Sequence, residues 1–79
     1  MKRLHQKMIG QRWAIHWLDP SGHVGAELDE VKLFLCITEG KLVKLTKTML
    51  VIQSSIYPDS QTGDFTAIHR SLVVDYQKL

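Results

Sequence analysis

The feature that most constrains this chain is a run of short apolar segments through its second half, at residues 34–37, 41–45, 49–52, 65–68 and 72–76. Each segment is too short for a typical helix, and each is bounded by Gly, Pro, Asp, Ser or Thr. Consecutive short strands separated by turn residues are typical of small antiparallel β-barrels. The interior of such a small barrel is filled by side chains, so a functional site is expected on its outer face, rim or loops.

The alternation of side chains predicts the individual elements. Residues 11–18 place Trp13, Ile15 and Trp17 on one face of a first strand. Residues 35–45 contain Gly40, which predicts either a hairpin at the glycine or one long strand bent there. The bent strand is preferred because residues 46–48 offer a better turn. The other predicted elements are strands at 49–55, 64–68 and 72–76, a loop at 57–63, a 3₁₀ turn at 69–71, and either helical turns or a rim loop within 23–32.

These elements predict a mainly β fold, a five-stranded SH3-like or Sm-like antiparallel barrel with at most one short helical-turn region. Residues 1–10 are predicted to be a flexible basic lead-in, and residues 11–79 a single small domain. A chain of 79 residues with 44% apolar content lies near the lower limit for a self-sufficient core. A homo-oligomer is therefore expected, since an interface would add buried apolar area.

Charge and cysteine content narrow the classes of function. A net charge of +2 is lower than expected for a dedicated duplex-DNA binder. The single cysteine, Cys36, excludes a disulfide within the chain and predicts a reducing compartment. The chain lacks an apolar run near the roughly 18 residues of a spanning helix and shows no signal-peptide pattern. We therefore expect a cytoplasmic protein with no membrane partner.

Catalysis and metal binding are both disfavoured. The four histidines show neither the paired spacing nor the accompanying cysteines of a zinc site. An acid–base site would have to combine Asp19, His23, Asp64 and His69, but turn chemistry explains both aspartates. We expect a protein that is not an enzyme and has neither cofactor nor metal.

Several residues are candidates for binding a ligand. Arg12 and His16 share the outer face of the first strand, and Trp17 adjoins the following loop. In Sm-like barrels, the turn before the last strand lines a nucleotide pocket between subunits. By that architectural analogy, Arg70 would pair with phosphate and His69 with phosphate or base. A solvated turn residue is an equal alternative for Arg70. The full candidate set is Arg12, His16, Trp17, Tyr57, His69 and Arg70, with Tyr57 or Trp17 stacking on the base.

The residues also carry a resemblance to a group of proteins. A Trp-x-Asp-Ser pattern near the start and a Gly-x-Leu-Val strand resemble small phage-encoded accessory proteins of unassigned function. The matching stretches are residues 17–21, 40–43, 50–52, 64–68 and 73–74. This chain departs from the pattern where Pro20 separates the aspartate from the serine. The resemblance implies a mobile-element protein that binds and blocks host machinery, including antiviral defence.

Three hypotheses follow from these observations. The leading one is a non-catalytic phage-type protein that interferes with host antiviral defence by sequestering an anionic nucleotide signal in an oligomer. The second is a protein–protein inhibitor that docks a strand edge or apolar patch onto a host defence protein or enzyme. The third is an Sm-like protein that binds RNA or single-stranded DNA, whose affinity would fall steeply with salt.

Overall fold

The computed structural model describes residues 3–19, 34–56 and 63–79, which form one five-stranded antiparallel sheet. The strands are β1 (Arg12–Asp19), β2 (Phe34–Leu45), β3 (Met49–Ile56), β4 (Gly63–His69) and β5 (Val73–Lys78). Two 3₁₀ turns accompany them, the first at Gln6–Met8 and the second at Arg70–Leu72. The strand order is β4-β3-β2-β1-β5, so the last strand pairs with the first.

The mainly β fold predicted from the sequence is confirmed, with two differences. The sheet is open, because β4 and β5 form its two edges and no ladder joins them in the described ranges. The first 3₁₀ turn was not predicted, whereas the second lies within one residue of its predicted position. The helical turns considered for residues 23–32 fall outside the described residues. None of the described helices is long and apolar enough to cross a membrane.

Strand β2 is continuous through Gly40 and serves two parts of the sheet. Its residues from Phe34 to Lys41 pair with β1, and its residues from Lys41 to Leu45 pair with β3. A Cβ atom at Gly40 would lie 2.5 Å from the backbone oxygen of Gln53. Glycine is therefore required where β3 approaches. The long-strand interpretation is confirmed, and the hairpin turns at residues 46–48 instead, where the Thr46 hydroxyl accepts the Met49 N–H at 3.0 Å.

The core lies on the inner face of the sheet. Irregularities in register let the strands keep apolar residues on that face: the pairing of β2 with β3 shifts between Leu42 and Lys44, so Leu42 and Leu45 are both buried. The buried cluster comprises Met8, Ile15, Leu42, Leu45, Leu50, Ile52, Ile68 and Val73.

The N-terminal segment packs on this core. Met8 is only 5% exposed and belongs to the buried cluster. The Gln6 side-chain amide donates to the Leu45 carbonyl at 3.1 Å, and the Gly10 N–H donates to the Leu42 carbonyl at 2.8 Å. These contacts join the N-terminal segment to the sheet, at residues for which the sequence predicts a flexible lead-in. The basic composition of this segment predicts a solvated tail, but the segment also contains Met8, which is buried.

Candidate ligand-binding cleft

A cleft of about 290 Å³ opens between the N-terminal segment, which contains the first 3₁₀ turn, and the side chains of Trp13 on β1 and Tyr76 on β5. Trp13 and Tyr76 reach it from neighbouring strands, because Ile15 lies opposite Tyr76 and all three side chains share the inner face. The lining residues are His5, Lys7, Met8, Gln11, Trp13 and Tyr76.

The floor of the cleft is aromatic. The rings of Trp13 and Tyr76 meet edge to face, with centroids 5.3 Å apart and an interplanar angle of 81°. The Trp13 indole N–H donates to the Met8 carbonyl at 3.0 Å, and the Tyr76 hydroxyl donates to the Arg3 carbonyl at 2.7 Å. Their polar groups thus hold the N-terminal segment, while both rings line the cleft and pack against the buried cluster.

The charge around the cleft is positive. Lys7 and His5 are exposed lining residues, and the lining set contains neither aspartate nor glutamate. Lys78, also exposed, lies opposite Trp13 on β5 and therefore shares the strand face of the cleft. An anionic group entering the cleft would meet ammonium groups over an aromatic floor.

The residues predicted on β1 lie on both faces of the sheet. Arg12 is exposed opposite Lys41, and half-buried His16 lies opposite Ile37 and Asp75. These two side chains share the outer face, as expected from the alternation.

Trp17 points to the opposite side of β1, where it packs against the buried cluster. Its indole N–H donates to the Thr38 hydroxyl at 2.9 Å. The structure therefore places the indole proposed for stacking beside the core, opposite Val73 at the start of β5.

His69 and Arg70 lie at the second 3₁₀ turn and hold backbone in place. The His69 Nδ1 atom accepts the Ser71 N–H at 3.2 Å. The Arg70 guanidinium donates to the Thr46 carbonyl at 2.6 Å, and the Arg70 N–H donates to the Thr48 carbonyl at 2.7 Å. Arg70 therefore ties the β2–β3 turn to the end of β4. The remaining predicted residue, Tyr57, lies outside the described residues.

The cleft residues were missed because two of them were assigned to the wrong kind of segment. His5 and Lys7 belong to the stretch interpreted as a tail. The sequence predicts stacking by Trp17, whereas Trp13 is the indole that lines the cleft, and it also packs against the buried cluster. One signal was present in the sequence: a β5 paired with β1 brings an inward Tyr76 close to Trp13.

Two further observations bear on the function. Within the described ranges, no group of three or more His, Cys, Asp or Glu side chains is arranged to hold a metal ion. Neither a protein-family model, nor a curated protein, nor a solved structure matches this chain.

Proposed function

We propose that this protein is a non-catalytic binding protein that holds a small anionic aromatic ligand, of the nucleotide class, in the cleft between its N-terminal segment and β1–β5. The observation that carries the proposal is the combination of an edge-to-face Trp13–Tyr76 floor with the cation of Lys7 in one cleft. Aromatic floors stack nucleobases, and ammonium groups pair with phosphate.

The volume limits the size of the ligand. Ligand pockets commonly measure roughly 300–1,000 Å³, and this cleft, at about 290 Å³, lies just below that range. A single nucleotide suits this space better than an oligonucleotide does. Stacking on an aromatic side chain is worth roughly 1–3 kcal/mol per base, so the phosphate contact must supply much of the remaining affinity.

The biological setting is part of the proposal and depends on the resemblance to phage accessory proteins. In that setting, the protein would sequester a nucleotide signal of host antiviral defence in the host cytosol.

Calorimetric titration with nucleoside monophosphates and with the matching nucleosides tests the proposal. We expect binding of at least one monophosphate, weaker binding of its nucleoside, and weaker binding by Lys7→Ala. Lys47→Ala is the matched control, because Lys47 is an exposed lysine in the β2–β3 turn, outside the cleft lining. It should bind as the wild type does.

Two results would count against this function. If neither cyclic nor linear mononucleotides bind, the proposed nucleotide-binding function is wrong. Binding of a short oligoribonucleotide with a steep dependence on salt, lost equally in Lys7→Ala and Lys47→Ala, would favour the nucleic-acid alternative.

A further inference from the structure

The first half of β2 has a free edge. Strand β3 pairs with β2 only from Lys41 to Leu45, so residues 35–39 have β1 on one side and no ladder on the other in the described part of the chain. We call residues 35–39 the β2 edge. A row of unpaired backbone groups on a strand of this kind is a template for pairing with another chain.

The backbone direction at the β2 edge follows from the ladder. The Leu42 N–H donates to Gln11 and the Leu42 carbonyl accepts from Gly10, so the polar groups of Leu42 point to the β1 side. In an antiparallel ladder this direction alternates along the strand. Residues 36 and 38 therefore bond to β1, and residues 35, 37 and 39 point their N–H and C=O groups to the free edge.

The side chains at the β2 edge are apolar where exposure is greatest. Leu35 is 60% exposed and Ile37 is 56% exposed. Both lie on the outer face, where Leu35 is opposite Leu18 and Ile37 is opposite His16 on β1. A free backbone edge beside an exposed apolar pair is the combination that strand addition uses.

We propose that the β2 edge pairs antiparallel with the same edge of a second copy of this chain, about a two-fold axis at Cys36. A two-fold axis perpendicular to the sheet keeps each face on its own side, so only registers centred on a residue are allowed. Centring on Cys36 sets Leu35 opposite Ile37 of the second copy, and Ile37 opposite its Leu35.

This register suits a second copy because it covers the exposed apolar pair without setting a charge against it. On the outer face, Leu18 and Leu35 of one copy are then followed across the interface by Ile37 and His16 of the second copy. A register centred on Ile37 would instead place Leu35 opposite Glu39 of the second copy. An apolar side chain would then face a carboxylate, which is an unfavourable pair. The Cys36 register is therefore the one favoured by the described residues.

The size of the contact predicts the strength of the dimer. Five residues of strand and a few side chains bury less than the roughly 1,200 Å² of a standard interface, so the dimer should be weak and dependent on concentration.

Sedimentation velocity over a concentration series, with a crosslinking assay in parallel, tests the proposal. Residue 36 forms the pair without hydrogen bonds, whose Cα atoms lie about 4.5 Å apart, within disulfide range. We expect a reversible dimer of the 9.1 kDa chain, and a disulfide-linked dimer when a mild oxidant is added. Ile37→Lys should abolish both species.

The control is Phe65→Lys, which changes a side chain that is 50% exposed on β4, at the far edge of the sheet. This variant should dimerise and crosslink like the wild type. A wild type that stays monomeric at every concentration, including one that binds a different protein, would overturn the proposal. So would a dimer unaffected by Ile37→Lys, or a dimer that forms no Cys36 crosslink.

Discussion

The two halves of β2 have similar apolar content and opposite surroundings. Residues 41–45 lie between β1 or the N-terminal segment and β3, and there Leu42 is completely buried. In the described part of the chain, β1 is the only strand that pairs with the β2 edge, and there Leu35 and Ile37 are more than half exposed. Leu42 lies on the inner face over the core, whereas Leu35 and Ile37 lie on the outer face, so the face on which a side chain lies, rather than its type, decides which half contributes to the core.

Truncation of one leucine in each half is expected to give the largest difference. Leu42→Ala should lower the free energy of unfolding by about 2–5 kcal/mol, because it empties a fully buried site in a small core. Leu35→Ala should change it by no more than about 0.5 kcal/mol, because that side chain is largely in water. Denaturant unfolding at low protein concentration, where any dimer dissociates, measures both.

Equal losses in these two variants would break the comparison, since they would mean that the β2 edge is buried in the folded monomer.

The junction between the halves should be the next most sensitive position. Gly40→Ala should cost about 1–3 kcal/mol, because its Cβ would overlap the Gln53 backbone, which cannot rotate away. Gly10→Ala tests the effect of backbone conformation without steric overlap. Gly10 has φ +92°, and no atom lies within 4 Å of a Cβ placed there. This substitution should cost about 1 kcal/mol by thermal or denaturant unfolding. A Gly40 variant as stable as the wild type would show that β3 does not approach β2 this closely.

A smaller effect is expected at Arg70, which ties the β2–β3 turn to the end of β4. Arg70→Ala should cost about 1 kcal/mol through loss of its bond to the Thr46 carbonyl. It should leave nucleotide affinity unchanged, because Arg70 is not among the cleft residues. Unfolding and calorimetric titration of the same variant check both points. Intact stability with lost nucleotide binding would instead support the site predicted from the sequence.

The sequence predicts more of the fold than of the candidate site. Strand positions follow from alternation and turn residues, so each predicted strand lies within two residues of the observed one at its ends. The long β2 follows from Gly40 together with the better turn at Thr46. Closure of the sheet does not follow, because it depends on how far each register shift curls the strands.

The site was less accessible to sequence reasoning because it depends on contacts between distant segments. Met8 reads as part of a basic tail until its burial under β1 and β2 is seen. Tyr76 meets Arg3 across 73 positions of the chain, and no local pattern encodes that bond. His69 and Arg70 looked available for phosphate because their backbone partners, Ser71 and the Thr46 carbonyl, are visible only in three dimensions.

The two tryptophans allow the most direct test of the ligand-binding cleft. Trp13 lines the cleft, whereas Trp17 packs beside the core with its indole N–H bonded to Thr38. The experiment is a titration of ¹⁵N-labelled protein with nucleoside monophosphates, following both indole N–H resonances by NMR. We expect a saturable shift of the Trp13 resonance with little change at Trp17. A shift confined to Trp17, or no shift at either indole, would contradict it.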